Sequence, residues 1–563
     1  MLEHDVLIIG AGLAGMRAAV AAQDLGADVA VVSKVHPVRS HSNAAQGGIN
    51  AALGHRGDKW EDHAYDTIKG SDYIADQDAV EIMAKEAGSE VISMEHMGVI
   101  FNRDDEGKLG TRAFGGQRKA RTFFVADFTG QALLHVLYEQ IIKSDILVYE
   151  EWFVLSLIVQ DGECSGAVMI DMKSGNIEVC VAKTVILATG GLGRVFEPST
   201  NALICTGDGM ALAYRAGVPL MDMEMVQYHP TTLKNNGALM SESARGEGAY
   251  LRNIDGERFM AKEGNAPEMM ELASRDVVSR SEQKEINEGR GVNGCVLLDC
   301  THLGEKLINE KLPQIRDLAK DFANVDMVKE PVPVRPGMHY QMGGVKTDIN
   351  GLTTLPHLYA AGECACVSVH GGNRLGANSL LDTLVFGRRA GEHAAEVSKN
   401  RLNPKVSSND VLKKHEKDIE KLLSNNDKDG FVYGSIRKEM GTLMNQYLAV
   451  FRDESGMQTA IEKLSELKLK YKNILISDKG RVFNTALIFT LELGFMLDCA
   501  ETIAISALER KESRGAHART DMPGRDDKNW LKHVLVYKEN DDAYRVDYLP
   551  VVITQWKPEE RKY

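Results

Sequence analysis

The sequence has no excess of positive charge: 66 Lys and Arg stand against 80 Asp and Glu, a formal net charge of −14 over 563 residues. Neutralising a phosphate backbone needs a basic face, so no nucleic acid is expected as a partner. A small anion is not excluded, because a few local arginines outweigh a distant acidic surface. Patterned cysteine is also lacking. The eight cysteines include no Cys-x-x-Cys, and the closest pair, Cys364 and Cys366, is spaced Cys-x-Cys. Zinc and iron–sulfur ligation therefore find no support, and no metal site is expected. Scattered thiols fit a reducing compartment. No apolar run approaches the ~18 residues of a membrane-spanning helix, so any membrane contact is expected to come through a partner. The opening MLEHDVLIIGAG reads as a strand from the outset and leaves no room for a signal or transit peptide. Internal repeats and low-complexity tracts are lacking as well.

What is present is ordinary globular composition, 44% hydrophobic and 26% charged, over a length that calls for about two to four domains. DVLIIG is a continuous apolar run of the kind that forms a strand buried on both faces. It leads into Gly10-Ala11-Gly12-Leu13-Ala14-Gly15 and then a small-residue helix closed by Gly26. Glycines spaced G-x-G-x-x-G between strand and helix give a tight turn, close backbone approach to a pyrophosphate and close helix–strand packing. The helix N-terminus then faces the negative charge. This turn does not separate NAD from FAD. The following strand, ADVAVVSK, ends in Ser33 and Lys34 rather than in the acid that usually holds a ribose. Two later stretches, ATGG at 188–191 and LYAAGE at 358–363, favour FAD. Glu363 reads either as the acid on the flavin's sugar-like chain or as a helix N-terminal acid favoured by the dipole. The loop PVRSHSNAAQGGINAALG places one histidine, His41, among small residues that let a ring pack against backbone.

Further along, 145–190 reads as strands with turns. Residues 229–342 are Gly- and charge-rich with mixed signals, as in an inserted domain. Residues 402–410 read as a linker, and 411–511 are dominated by helical periodicity, with Leu493, Leu497, Ala500, Ala504 and Leu508 on one face. The tail is loop-rich and then strand-like.

Taken together, RSHSNAAQGGI, TGDGMALAYRAGVPLMDMEMVQYHPT, RGEGAYL, RDVVSRS, HYQMGG, GECACVSVHGGNRLGANSLLD and SRGAHARTDMPGRDDKNWLKH resemble the flavoprotein subunits of succinate dehydrogenase and fumarate reductase. The match runs in order over nearly the whole chain. The resemblance implies an α/β fold: a Rossmann-like FAD-binding domain (1–228 and 343–400), an inserted α+β capping domain (229–342), a helical domain (410–511) and a small C-terminal domain (512–563). It implies FAD bound covalently through His41, with Ser40, Ser42, Gln46, Gly47, Gly48, Asp208, Ser379 and Leu380 joining Gly10–Gly15, Ser33, Lys34 and Glu363 around the cofactor. It also implies a dicarboxylate held by His229, Ser241, His339 and Arg374, because two carboxylates cannot be buried unpaired. Ser241 stands where the family usually has threonine and keeps the hydroxyl. Arg275 matches the family's proton shuttle. A guanidinium is a poor base, so the relay is read as Arg275 acting with Glu242 and Arg245, residue types that structural ion pairs also use.

The implied activity is oxidation of succinate to fumarate by hydride transfer to FAD. Electrons would pass to an iron–sulfur subunit and on to quinone through a membrane anchor, at the cytoplasmic face of the cell membrane. Fumarate reduction is the same chemistry reversed; Gln46 and NSLLD lean toward the dehydrogenase. L-aspartate oxidase shares several motifs but usually lacks a histidine at the position of His41. A non-catalytic flavin-binding scaffold is opposed by the intact His229, Glu242, Arg275, His339 and Arg374 set. Residues 513–533 read as part of a docking or flavin-attachment region, or as a structural loop.

Overall fold

The computed structural model describes residues 2–54, 57–540 and 543–562. Strand β1 (Leu2–Ile9) runs into the helix Leu13–Asp24 and returns through β2 (Val29–Ser33). β3 (Leu147–Glu150), β4 (Trp152–Gln160), β5 (Glu163–Asp171) and β6 (Ile177–Leu187) complete the sheet in the order β3-β2-β1-β6-β5-β4. The β1–β2, β2–β3 and β1–β6 pairs are parallel, with Val6 opposite both Val29 and Thr184. Val6 through Ile9 are buried, which is why this strand is apolar without alternation. β6 is shared along its length. Its first half pairs antiparallel with β5, and its last residues pair parallel with Leu358–Ala360.

Small residues set how closely the helices lie on this sheet. A Cβ on Gly387 would sit 2.7 Å from the Ala14 carbonyl oxygen, and one on Gly391 would sit 2.2 Å from that of Ala18. The helices Leu13–Asp24 and Asn378–Lys399 thus meet backbone to backbone, through alanines and glycines four residues apart.

Between these halves, Val226–Thr232, Val332–Gln341, Val296–Asp299 and Tyr250–Arg252 form an antiparallel sheet in that order. It has its own core, including Met240, Phe259, Val278, Leu298, Ile315 and Val334. The 228/229 boundary expected from sequence falls inside the first of these strands. The register of that strand shifts between Gln227 and Tyr228 and again between His229 and Thr232, irregularities that re-aim side chains.

Four helices follow: Ser408–Ser424, Tyr433–Tyr447, Glu454–Lys472 and Thr485–Glu509. The last was expected to bury one face. Instead Thr490, Glu492, Asp498 and Thr502 are buried as well as Leu493, Leu497, Ala500 and Ala504, while Leu508 is only half-buried. The helix is enclosed by its neighbours and by the first sheet, where Phe495 stacks on Phe153 at 5.8 Å. The strands Lys532–Lys538 and Tyr544–Pro550 pair with each other and join 220–221, 344–346 and 365–366 in a five-stranded sheet. The tail is therefore integrated with the earlier chain.

Residues 510–533 carry internal ion pairs. Arg510 Nε meets Glu224 at 2.5 Å and its Nη1 meets Glu512 at 3.1 Å; Arg514 Nε also meets Glu512, at 2.7 Å. His533 lies buried between Asp222 (2.6 Å) and Asp76 (3.2 Å). Burial alone would lower its pKa, but the two carboxylates outweigh that and hold it up at about 10, from an ordinary 6.5. A group raised in the folded state stabilises most below its unfolded value and loses that contribution as pH rises through its folded one. His533→Gln should therefore lower the melting temperature most near pH 6, with the deficit shrinking steadily toward pH 10. Melting curves of both proteins across this range check it; a pH-independent deficit would mean His533 is neutral in the fold.

Candidate active site

One elongated cavity runs from the glycine turn to the junction with the second sheet. It is lined by Gly10–Ala14, Ser33, Lys34, Ser40–Ser42, Gln46–Gly48, Asp208, Glu363, Ser379 and Leu380, and, at its far end, by His229, Ser241, Glu242, Arg275, His339 and Arg374. The structure thus brings together the sequence-derived residues, except that Gly15 and Arg245 stand behind the wall.

At the near end the glycines are sterically required. Gly10 has φ +113°, and a Cβ there would lie 2.2 Å from the Ala188 carbonyl oxygen. A Cβ on Gly15 would lie 1.9 Å from the Gly10 oxygen. Gly12 has no such wall; a Cβ there would project toward the Ser40 and Ser42 hydroxyls, each 3.4 Å away. The helix it opens has no side-chain cap and no acid in its first turn. The Leu13 N–H donates to Ser42 Oγ at 3.3 Å, and the helix dipole points into the cavity that Gly12 and Leu13 line, as an anionic pyrophosphate requires. The Lys34 ammonium is committed within the protein, to Asp208 (2.7 Å), Glu492 (2.6 Å) and Thr206 (2.8 Å). It fixes the wall and draws Asp208 into an ion pair.

His41 sits in a short turn of 3-10 helix, His41–Ala44, capped by Ser40, whose Oγ accepts from the Ser42 N–H. The Ala202 N–H donates to His41 Nδ1 at 3.3 Å, leaving Nε2 as the outward nitrogen. Burial, with the nearby Arg194 charge, pushes its pKa down to about 4, so the imidazole is neutral. Glu363 accepts from the Gln341 N–H at 3.1 Å, and burial pushes its carboxyl up to about 7.

The far end is cationic. Arg275 donates from Nε to Glu242 Oε2 (2.6 Å) and from Nη1 to Gln227 Oε1 (2.9 Å). The other Glu242 oxygen accepts from the Gly115 N–H at 2.7 Å. Arg245 Nη2 lies 3.8 Å from the same carboxylate. Burial would raise the Glu242 pKa, but Arg275 and Arg245 hold it below the ordinary range. Arg374 is buried, donates from Nη1 to Ser379 at 3.2 Å, and lies 4.4 Å over the Tyr340 ring. Its Nε has no hydrogen-bond partner among the described residues. Burial, then the neighbouring Arg275 charge, pushes its pKa down to about 9.

The two histidines pack edge to face at 5.0 Å. Burial and the surrounding arginines hold both pKa values well below 6.5. They are therefore neutral hydrogen-bonding groups. His339 Nδ1 is paired with Thr200 at 2.9 Å. The Thr231 N–H donates to His229 Nδ1 at 3.2 Å, while His229 Nε2 has no partner among the described residues. Two buried guanidiniums, Arg275 and Arg245, thus meet the Glu242 carboxylate, and a third, Arg374, is buried nearby with the Arg275 charge acting on it. Such a surplus is costly unless an anion completes it.

Sequence reasoning missed Gln227, Thr200, Tyr340 and Glu492. Gln227 had a usable signal: on a strand it shares a face with His229 two residues on. Glu492 had none, being 458 positions from Lys34 in a helix read as a separate unit.

Comparison with known proteins gives two family-model matches: an FAD binding domain over residues 5–380 and the fumarate reductase flavoprotein C-terminal region over 437–563. The chain is 47% identical to the fumarate reductase flavoprotein subunit of Mycobacterium tuberculosis, covering 100% of this chain and 99% of that one. It is 45% identical to the succinate dehydrogenase flavoprotein subunit of Rickettsia bellii, covering 98% and 96%. Among solved structures, a mutant E. coli quinol fumarate reductase FrdA matches with a TM-score of 0.96 at 42% identity, over 100% and 99% of the two chains. Mycobacterium smegmatis Sdh1 matches at 0.87 and 34% identity, over 99% and 95%. The cavity and the family model agree on FAD: a helix N-terminus opened by Gly12, in a turn whose Gly10 and Gly15 cannot carry a Cβ, is a pyrophosphate cradle.

Gly15→Ala should therefore yield protein with little or no FAD, because the added methyl forces helix and turn apart. The flavin-to-protein absorbance ratio after desalting checks it; a stoichiometric ratio would mean the turn relaxes freely.

Proposed function

The chain belongs to the family of succinate dehydrogenase and fumarate reductase flavoprotein subunits, and on that premise we propose that it oxidises succinate to fumarate. The observation that carries this reading is the buried cationic surplus at the far end of the FAD cavity. A dianion with a short spacer satisfies it; a monoanion leaves one cluster unmet. Arg374, with a free Nε and a planar fork, takes one carboxylate. His229, His339 and the Ser241 hydroxyl donate hydrogen bonds to the other, without adding charge.

FAD, when bound, supplies the two-electron acceptor. The protein's own part is the proton. Arg275 has Nε and Nη1 engaged by Glu242 and Gln227, which leaves Nη2 to meet the substrate methylene. Arg275 Nε gives its proton to Glu242 Oε2 across 2.6 Å, and the guanidine so formed, in the tautomer with its lone pair on Nη2, takes the methylene proton and is a guanidinium again. Arg245, behind the wall, stabilises the Glu242 carboxylate between turnovers. His41, neutral and with Nε2 turned outward, is suited to covalent attachment of the flavin. In this reading 1–228 with 343–400 bind FAD and 229–342 cap the substrate.

Fumarate reduction is the reverse of the same steps, and relatives carry both names. L-aspartate oxidation is disfavoured by His41 and by the absence of a carboxylate set aside for an ammonium. A non-catalytic scaffold is disfavoured by the intact relay. No described helix is long and apolar enough to cross a membrane, and the cysteines lack iron–sulfur spacing. Electrons would therefore leave through an iron–sulfur partner subunit, with a membrane anchor beyond it at the cytoplasmic face.

Two measurements test this. Under anaerobic conditions succinate should bleach the flavin of the purified protein and aspartate should not; bleaching by aspartate alone would overturn the substrate assignment. Arg275→Gln should cut turnover by roughly 100-fold or more, the range of a positioned proton carrier, with KM little changed. Separately, acid-precipitated protein should retain yellow fluorescence on a peptide containing His41; flavin found wholly in the supernatant would exclude attachment.

A further inference from the structure

Arg275 opens the helix Arg275–Asn287, and its neighbour Asp276 points the other way. The Asp276 side chain is fully buried and accepts from Arg561 Nη2 at 2.7 Å and from Arg280 Nη2 at 3.1 Å. Arg561 comes from the last residues of the chain. The same Nη2 lies 3.1 Å from Asp72 Oδ2, beyond the C-terminal end of the helix Trp60–Gly70. One guanidinium therefore bridges two carboxylates, one beside the FAD-lining part of the chain and one in the segment that carries Arg275. Asp72 is itself tightly held. It sits at φ +57°, takes Arg525 at 2.8 Å and accepts from the Gly515 N–H at 2.8 Å. The tail reaches this point on a separate anchor: the Gln77 Oε1 atom accepts from the N–H groups of Thr554, Gln555 and Trp556 at 2.9–3.0 Å. The Arg561 contact is thus an addition to a tail already fixed, not the means of fixing it.

We propose that Arg561 is a positioning residue for Arg275: the bridge from Asp72 to Asp276 holds the start of the Arg275 helix at the working distance from substrate. The idea rests on the proton-shuttle reading of Arg275. Asp276 needs cationic partners because its carboxylate is fully buried. Without Arg561 the helix keeps two other ties near its start, Arg280 Nη1 to the Gly515 carbonyl at 2.6 Å and the Asn373 side chain to Ser274 Oγ at 2.8 Å, but loses the one that joins the carboxylate next to Arg275 to Asp72. The helix start can then shift, and shifts of about 1 Å at a reacting group cost up to ~100-fold in rate.

The test uses the holoenzyme, with a chain ending at Glu560, Arg561→Gln, Arg561→Lys, Asp276→Asn and the double variant Arg561→Gln/Asp276→Asn. The shortened chain and Arg561→Gln should lose about tenfold or more in kcat with KM nearly unchanged, at full FAD content and at a temperature where each variant is fully folded. Arg561→Lys should recover part of the loss, keeping charge without the fork. The double variant should be no worse than the worse single one, because both remove the same tie. Amide hydrogen exchange over residues 272–280, which needs no turnover, should accelerate in every variant that breaks the bridge. Wild-type kcat in Arg561→Gln, additive losses in the double variant, or a loss that tracks lost FAD would each overturn the proposal. A wild-type protein inactive on both succinate and fumarate would refute the assigned reaction instead, leaving the exchange result to judge the bridge.

Discussion

Buried charge governs this molecule. Arg245 and Arg275 are buried against the Glu242 carboxylate, with Arg374 buried nearby. Left alone, such a group would repel itself and draw solvent in. It persists because the surroundings are rigid on every side. Gln227 and the Gly115 N–H take the remaining bonds of Arg275 and Glu242. Tyr340 lies under Arg374, and the two histidines have given up their charge. Holding like charges together is costly, and an anion bound among them would relieve that cost.

That rigidity is assembled from distant parts of the chain. His229 and His339 come from adjacent strands, Val226–Thr232 and Val332–Gln341, whose irregular register turns both rings toward the cavity. Arg374 stands on the loop before the helix Asn378–Lys399, the helix that lies backbone to backbone on Leu13–Asp24. The glycine turn and the cationic pocket are therefore linked through two helices in direct contact. A change in how closely those helices approach would be felt at both ends of the cavity.

Much of this was legible in the sequence for identifiable reasons. Gly10–Gly15 announces itself because a strand, three glycines and a helix leave few other geometries. Arg374, His339, His229 and Glu242 each sit in short stretches that resemble a known family, and the cavity gathers them. Four things were not legible. The protonation of the histidines depends on burial beside arginines far away in sequence. The Lys34–Glu492 pair spans most of the chain. The helix Thr485–Glu509 looked amphipathic because its buried polar residues, Glu492 and Asp498, pair with Lys34, Arg215 and Lys468. Periodicity assigns polar residues to solvent and cannot see partners that neutralise them. The tail strands likewise read as a small unit of their own, because nothing local reveals that they join 220–221.

The sharing of β6 has a consequence for the order of events in synthesis. Its C-terminal half is bordered on one side by β1, among the first residues made, and on the other by Leu358–Ala360. During translation the earlier strands emerge and then wait, with one edge of β6 bare, while the whole intervening sheet is produced. An unpaired strand edge is an invitation to wrong partners, and closing so long a loop is slow. The nascent protein thus passes through a period in which its nucleotide-binding half is present and cannot close. Loading of FAD belongs after that interval, so the supply of chaperones and of cofactor late in synthesis governs the yield of competent protein.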